Sequence, residues 1–148
     1  MKTPSASLVV DAAVLVAVVR GRSSGAILEA QKVATLITTD RVVQEARRRL
    51  EFGLQRPELL DLLDALLEQI TIIPVAALET LLPESEAALR DAIAGRNGAM
   101  RDAHMLALAR AVDADIWTAD REFAGTGVAT WSTPNLLRSL AHAEAERG

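Results

Sequence analysis

The chain has 148 residues, half of them hydrophobic, and a formal net charge of −4 at pH 7. This length supports one domain with a full hydrophobic core, and we expect residues 1–148 to form a single domain. The absence of cysteine excludes disulfide scaffolds, thiolate zinc sites and cysteine nucleophiles. The acidic balance argues against broad, nonspecific attraction to nucleic acid.

The first predicted strand, Leu8–Val10, ends at Asp11, and the apolar stretch that follows predicts a buried helix. The Asp11 carboxylate is costly to desolvate beside so much apolar surface unless a cation compensates it. It is equally compatible with a helix cap that accepts a hydrogen bond from a free backbone N–H. Because Asp11 interrupts the N-terminal apolar run, no segment approaches the ~20 residues of a membrane span, and we expect a soluble, cytoplasmic protein.

Strand and helix signals alternate along the rest of the chain, which indicates an α/β fold. Ser23–Gly25 has the composition of a helix cap before the second helix, and Asp40 is the candidate N-cap of the third. The later predicted strands are Leu36–Thr39, Thr71–Val75, Ile116–Thr118 and Val128–Trp131. The later predicted helices are Ala26–Ala34, one after Asp40, one beginning at Pro57, Glu84–Ala94, one opened by Asp102, and Pro134–Glu146.

The helix that begins at Pro57 has an unusually broad apolar surface. Its leucines recur so often that they cover more than one helix face. Two arrangements are compatible with this pattern: burial wholly within the chain, and packing against a second subunit.

Four acids fall where a strand ends or a helix begins: Asp11, Glu45, Asp102 and Asp120. In a parallel sheet with right-handed crossovers, strand ends and the first turns of the following helices share the carboxyl edge. We therefore expect these four carboxylates to converge. Asp113 and Asp115 precede a strand, so they are expected at the opposite edge as solvated loop acids.

Convergence of four carboxylates would raise some of their pKa values unless a cation neutralises them. Oxygen ligands favour Mg²⁺ or Mn²⁺ over zinc. Such a site supports metal-assisted hydrolysis of phosphodiester bonds without a serine, cysteine or histidine nucleophile.

The C-terminal segment from Ala114 to Phe123, continued through Gly125–Val128 to Trp131–Thr133, resembles the C-terminal half of PIN-domain nucleases. Val43–Glu45, Arg101–Ala103 and the order of the four acids are also similar to that family. The resemblance implies a three-layer α/β/α sandwich with a mostly parallel sheet, and a Mg²⁺- or Mn²⁺-dependent ribonuclease. It further implies frequent homodimers and often the toxin role in a toxin–antitoxin pair of the virulence-associated protein C type.

On that resemblance the catalytic acids are Asp11, Glu45, Asp102 and Asp120, with Asp11, Asp102 and Asp120 as metal ligands. Thr118 would orient a carboxylate or a metal-bound water, and Glu122 is a candidate fifth acid. The family commonly has small polar residues directly after its first acid, whereas this chain has Ala12 and Ala13. This departure keeps open an alternative, a catalytically weakened PIN-fold protein that binds RNA or a partner.

Basic and aromatic residues give further candidates. The arginine run at 47–49 includes Arg48 and Arg49 as possible RNA ligands, and Arg101 and Arg121 each adjoin a proposed site acid. His104 is either a packing residue or an aid to catalysis. Trp117 and Trp131 lie on predicted strands, so we expect them to pack in the core rather than stack on bases.

Overall fold

The computed structural model describes residues 2–22, 25–91 and 102–147. It confirms the α/β fold. Five strands form one sheet in the order β3-β2-β1-β4-β5, and all four strand pairings are parallel. The strands are β1 (Ser7–Val10), β2 (Thr35–Thr39), β3 (Thr71–Ile73), β4 (Asp115–Trp117) and β5 (Thr130–Trp131).

Seven α-helices lie in the described ranges, joined by three shorter helical turns. The α-helices are α1 (Ala12–Val19), α2 (Gly25–Gln31), α3 (Asp40–Arg48), α4 (Leu60–Leu67), α5 (Leu82–Asp91), α6 (Ala103–Val112) and α7 (Thr133–Arg147). The shorter turns are a π-helical turn at Arg49–Gly53 and 3-10 helices at Pro57–Leu59 and Val75–Leu81.

Helices cover both faces of the sheet. Leu8, Val9 and Val10 of β1 are each completely buried, although successive side chains of a strand point to opposite faces. Burial on both sides is typical of parallel sheets, whose crossover helices pack on either face. Helix α6 packs over β1, β2 and β4, and α1 contacts α3 and α4. Because β1 is the central strand, Asp11, the residue that follows it, lies at the middle of the carboxyl edge of the sheet.

The expected core aromatic residues are confirmed, because Trp117 is fully buried and Trp131 is 8% exposed. The leucine-rich α4 region is buried on one side only. Leu59, Leu63, Leu66 and Leu67 face the core, whereas Leu62 is 54% exposed. The second of the two arrangements for this helix, contact with another subunit, remains a prediction.

Two acid assignments made from the sequence are wrong. The N-cap of α3 is Thr39, whose Oγ1 accepts a hydrogen bond from the Val42 N–H at 3.1 Å, and Asp40 is the first helical residue. The Asp40 carboxylate instead accepts from the Val75 N–H at 2.9 Å and holds the chain after β3.

Asp115 is the other correction, since it is a structural acid rather than a solvated one. It is half-buried, and its Oδ2 accepts from the Ser5 N–H at 3.0 Å and from the Trp131 Nε1–H at 2.9 Å. Its own N–H donates to Ser5 Oγ at 2.9 Å. Asp115 thus joins the segment before β1 to β4 and β5. Asp113 is exposed, as expected, and caps α6 with a left-handed φ of 55°.

Replacing Asp115 with Ala should lower the free energy of unfolding by about 1–3 kcal/mol, because two donors lose their acceptor. Asp115→Asn retains one acceptor oxygen and should lose less. Urea denaturation measures both, with Asp113→Asn as the control, since asparagine tolerates the left-handed conformation. Equal stability of Asp115→Ala and the wild type would contradict this role.

The remaining boundaries shift by a few residues. The predicted third strand ends at Ile73, and the last is confined to Thr130–Trp131. The Pro57 helix opens with a 3-10 turn before α4. Ser23 and Ser24, and the predicted helical residues 92–94, lie outside the described residues.

Candidate active site

Asp11 stands at the carboxyl edge of the central strand and is held there from three sides. Its backbone N–H donates to the Trp117 carbonyl at 3.0 Å. Its Oδ1 accepts from the Ala12 N–H at 2.6 Å, which caps α1. Its Oδ2 accepts from Thr118 Oγ1 at 2.6 Å, and the residue is only 9% exposed. The capping role is therefore present, and it leaves the carboxylate fixed at the sheet edge.

Thr118 links the two acids that follow β1 and β4. Besides donating to Asp11, its Oγ1 accepts from the Asp120 N–H at 3.0 Å. Thr118 itself is buried, so its hydroxyl is confined to these partners. The Thr118 side chain thereby fixes the orientation of the Asp11 carboxylate and the position of the backbone at Asp120.

The pKa of Asp11 is raised, chiefly because burial penalises its charged form. The hydrogen bonds from Thr118 and Ala12 lower this pKa, and the negative charges of Asp102 and Glu45 raise it further. The other acids are thus close enough to act on Asp11 electrostatically.

Glu122, for which the sequence indicated only a supporting place, is subject to the charges of three other acids. Burial raises its pKa to about 9, aided by a hydrogen bond with Asp102 and by the charges of Asp102, Asp120 and Asp11. We refer to Asp11, Asp102, Asp120 and Glu122 as the acid cluster. The raised pKa of Glu122 favours the protonated form of this side chain at neutral pH.

Glu45 lies at the margin of the acid cluster. It is in the second turn of α3, where it forms an ion pair with Arg49 at 2.8 Å. Its charge acts on Asp11, and it shares the lining of a neighbouring pocket with Asp102. Of the four predicted catalytic acids, Asp102 and Glu45 lie close enough to Asp11 for their charges to act on it, and the charges of Asp11, Asp102 and Asp120 act on Glu122.

The chemistry of the acid cluster fits a hard divalent cation, because all four donors are carboxylate oxygens and repel one another. Within the described ranges, no three His, Asp or Glu side chains are drawn together tightly enough to coordinate one ion as they stand. Asp11 is held by its hydrogen bonds, whereas Asp120 is exposed and Asp102 is half-buried.

The arginines differ in their partners. Arg49 pairs with Glu45 and Arg47 with Asp64, whereas Arg48 lines the pocket that Glu45 and Asp102 share. Arg121 is exposed beside Asp120. The predicted RNA ligand Arg101 lies outside the described residues.

Sequence reasoning missed three residues that build this pocket. Arg41 and Gln44 line it, and Thr39 positions His104, which lines it as well. Arg41, Glu45 and Arg48 recur at helical spacing, a signal that could have placed Arg41 on the same face as Glu45. His104 is 2% exposed, and burial, with the nearby positive charge of Arg41, lowers its pKa to about 4.

Residues 9–141 match the PIN domain family. The chain belongs to the PIN domain family. PIN domains are typically nucleases and generally depend on a metal ion. The expected family membership is thereby confirmed, and the acid cluster occupies the carboxyl edge of a PIN-type sheet.

Among solved structures, this PIN domain is similar to a chain in the crystal structure of VapBC2 from Rickettsia felis bound to a DNA fragment from their promoter. The TM-score is 0.62 at 16% identity, covering 84% of this chain and 97% of the other. At this identity the similarity concerns the fold. No curated protein matches the chain in sequence. Over the described residues, no helix combines the length and the apolar character needed to cross a membrane.

Proposed function

We propose that this PIN domain is a metal-dependent endoribonuclease that hydrolyses RNA phosphodiester bonds at the acid cluster. The observation that carries the proposal is the buried Asp11 carboxylate at the carboxyl edge of a PIN-type sheet, which accepts from Thr118 Oγ1 at 2.6 Å and lies within range of the charges of Asp102 and Glu45. Carboxylates placed where each opposes the ionisation of the next are typical of sites that hold a cation.

Asp11, Asp102 and Asp120 would hold Mg²⁺ or Mn²⁺, and Glu45 and Glu122 would complete the ring of catalytic acids. The bound cation supplies an activated water and neutralises charge on the phosphate. Thr118 keeps the Asp11 carboxylate in one orientation, so this acid needs little reorganisation when the site fills. A carboxylate left outside direct coordination can accept the proton of the attacking water.

We further propose that the protein acts in the cytoplasm as the toxin of a type II toxin–antitoxin pair, restrained by a cognate antitoxin, and that it forms a homodimer. The fold similarity to a chain of the VapBC2 structure supports this role. The exposed Phe52 and Leu62 provide apolar surface that a protein partner would cover.

The test is cleavage of single-stranded RNA by the purified protein. We expect cleavage with Mn²⁺ or Mg²⁺ and none with EDTA. Asp102→Asn should reduce the rate about 100-fold or more, the scale on which one transition-state-stabilising group acts. Equal cleavage by the wild type and Asp102→Asn would indicate a contaminant or another site and would contradict the assignment of nuclease activity to the acid cluster.

A second candidate is a binding module on the same fold, favoured by Ala12 and Ala13, which offer no side-chain hydrogen bond beside Asp11. This alternative predicts RNA or partner binding without metal-dependent cleavage. The cleavage assay separates the two candidates when RNA binding is also measured in EDTA, where no cleavage occurs.

A further inference from the structure

A pocket of about 190 Å³ adjoins the acid cluster on the side of α3. Its lining residues are Arg41, Gln44, Glu45, Arg48, Asp102 and His104, and we call it the α3 pocket. Asp102 belongs to both the acid cluster and the α3 pocket. A molecule in the pocket is therefore next to whatever is bound at the acids.

The two arginines of the α3 pocket are the ones available to bind an anion. Arg47 and Arg49 form ion pairs with Asp64 and Glu45, whereas no ion pair in the described part of the chain engages Arg41 or Arg48. Both side chains are exposed. Arg41 also lies in the first turn of α3, where its charge adds to the positive end of the helix dipole. Arg41 thus adds positive charge at the pocket, next to the negative charge of Asp40 in the same turn.

The distance between these arginines suits a nucleic-acid backbone. They are seven residues apart, so their Cα atoms are separated by about 10 Å along two helical turns. Long, flexible side chains at this spacing can reach two successive phosphates. The carboxylates of Glu45, on the same face of α3, and of Asp102 also line the pocket and disfavour a phosphate next to them without a cation.

His104 contributes a donor of defined orientation. The fully buried Thr39 hydroxyl accepts from the Val42 N–H at 3.1 Å and lies 2.8 Å from His104 Nδ1. A buried hydroxyl hydrogen requires an acceptor, and among the described contacts Nδ1 is the one available. The neutral ring then carries its proton on Nε2. Thr39 thus fixes His104, which lines the pocket, in the tautomer that carries a donor on Nε2.

We propose that the α3 pocket is a nucleotide subsite for single-stranded RNA, in which Arg41 and Arg48 bind successive phosphates and His104 Nε2–H donates to the intervening base. This inference rests on the proposed function, because it names how that RNA substrate is held next to the acid cluster. Single-stranded RNA fits because its unstacked bases can enter a pocket of this size, whereas paired bases cannot.

The test is the fluorescence anisotropy of a short labelled RNA in EDTA, where no cleavage interferes. Arg41→Gln/Arg48→Gln should weaken binding about tenfold at moderate salt and reduce the slope of log K against log salt by about 1.4, for two phosphates on a single strand. The matched control is Arg47→Gln/Arg138→Gln, which removes the same charge outside the pocket. Arg138 lies on α7 and bonds Asn135.

His104 is tested by a pair of variants. His104→Leu should weaken binding about fivefold, on the scale of one lost hydrogen bond, while His104→Gln should restore most of it, because the glutamine amide can place an N–H near the position of Nε2. A packing role alone predicts no rescue of binding by glutamine. Thermal melts confirm that each variant is folded.

Equal weakening by the two double-arginine variants, or no detectable binding by the wild type, would overturn the subsite. Tight RNA binding lost only in the pocket variants, without cleavage in Mn²⁺, would support the subsite and reject the nuclease. Cleavage in Mn²⁺ together with unchanged binding by the pocket variants would support the nuclease and reject the subsite.

Discussion

Asp11→Asn should reduce RNA cleavage about 100-fold or more while leaving the stability of the protein close to that of the wild type at neutral pH. The proposed catalysis requires the Asp11 charge, whereas burial of this carboxyl raises its pKa and so opposes the charge. A raised folded-state pKa contributes stability fully below the unfolded value and loses it as pH rises through the folded value. The wild type loses this contribution as pH rises through the raised pKa of Asp11, whereas the amide of the variant does not titrate.

Cleavage rate and thermal midpoint measure the two effects separately. In the Asp11→Asn variant, the side-chain carbonyl can still accept from the Ala12 N–H, so the cap survives the substitution. The amide can donate to Thr118 Oγ1, but the Thr118 hydroxyl hydrogen then loses its acceptor, and this loss offsets the gain from removing a buried charge. Asp113→Asn is the matched control, an exposed acid at the opposite edge of the sheet. Retained activity in Asp11→Asn would remove this acid from the catalytic set. A large fall in its midpoint would show that the carboxylate is chiefly structural.

Glu122→Gln should flatten the pH dependence of stability in the absence of metal. The folded-state pKa of about 9 lies above the ordinary value of 4.5, so the wild type is favoured below pH 4.5 and loses stability as pH rises through 9. The glutamine side chain of the variant does not titrate. The two proteins should have similar midpoints near pH 4.5, and the variant should be the more stable at pH 9.

The expected gain at pH 9 is about 1–2 kcal/mol after discounting for solvent screening of this partly exposed group, or roughly 2–8 °C in midpoint. Thermal melts across this pH range measure the gain, with the exposed Glu51→Gln as the control. Mn²⁺ should raise the wild-type midpoint more at pH 8 than at pH 5, because it competes with the retained proton. Parallel pH profiles for wild type and Glu122→Gln would contradict the acid cluster.

The strand positions were predictable from the sequence because β-branched and apolar runs bounded by polar residues are local signals. Leu8–Val10 and Leu36–Thr39 are examples. Parallel connectivity then placed Asp11 and Asp102 near one another without knowledge of the strand order. The prediction that Asp115 is a solvated acid was wrong because its partners, Ser5 and Trp131, come from distant parts of the chain. No local sequence pattern indicates such contacts.

The sequence indicated which acids lie near the carboxyl edge of the sheet, but not the burial, neighbouring charges and hydrogen-bond partners of each side chain. Glu122 differs from an exposed loop acid only through the burial and neighbouring charges that the folded chain supplies. Thr39 and Asp40 are both good caps, and competition between adjacent residues is settled by which side chain the strand end directs at the helix. The partners of the arginines, which separate Arg48 from Arg47 and Arg49, also depend on tertiary structure.

The hydrogen bond from Thr118 to Asp11 joins residues 107 positions apart. During synthesis, the ribosome must therefore release most of the chain before β4 can pair with β1 and orient the first acid. An incomplete nascent chain holds the Asp11 carboxylate without its partner. If the proposed nuclease is a toxin, its activity would thus appear only after the segment that carries β4 and Thr118 has left the ribosome.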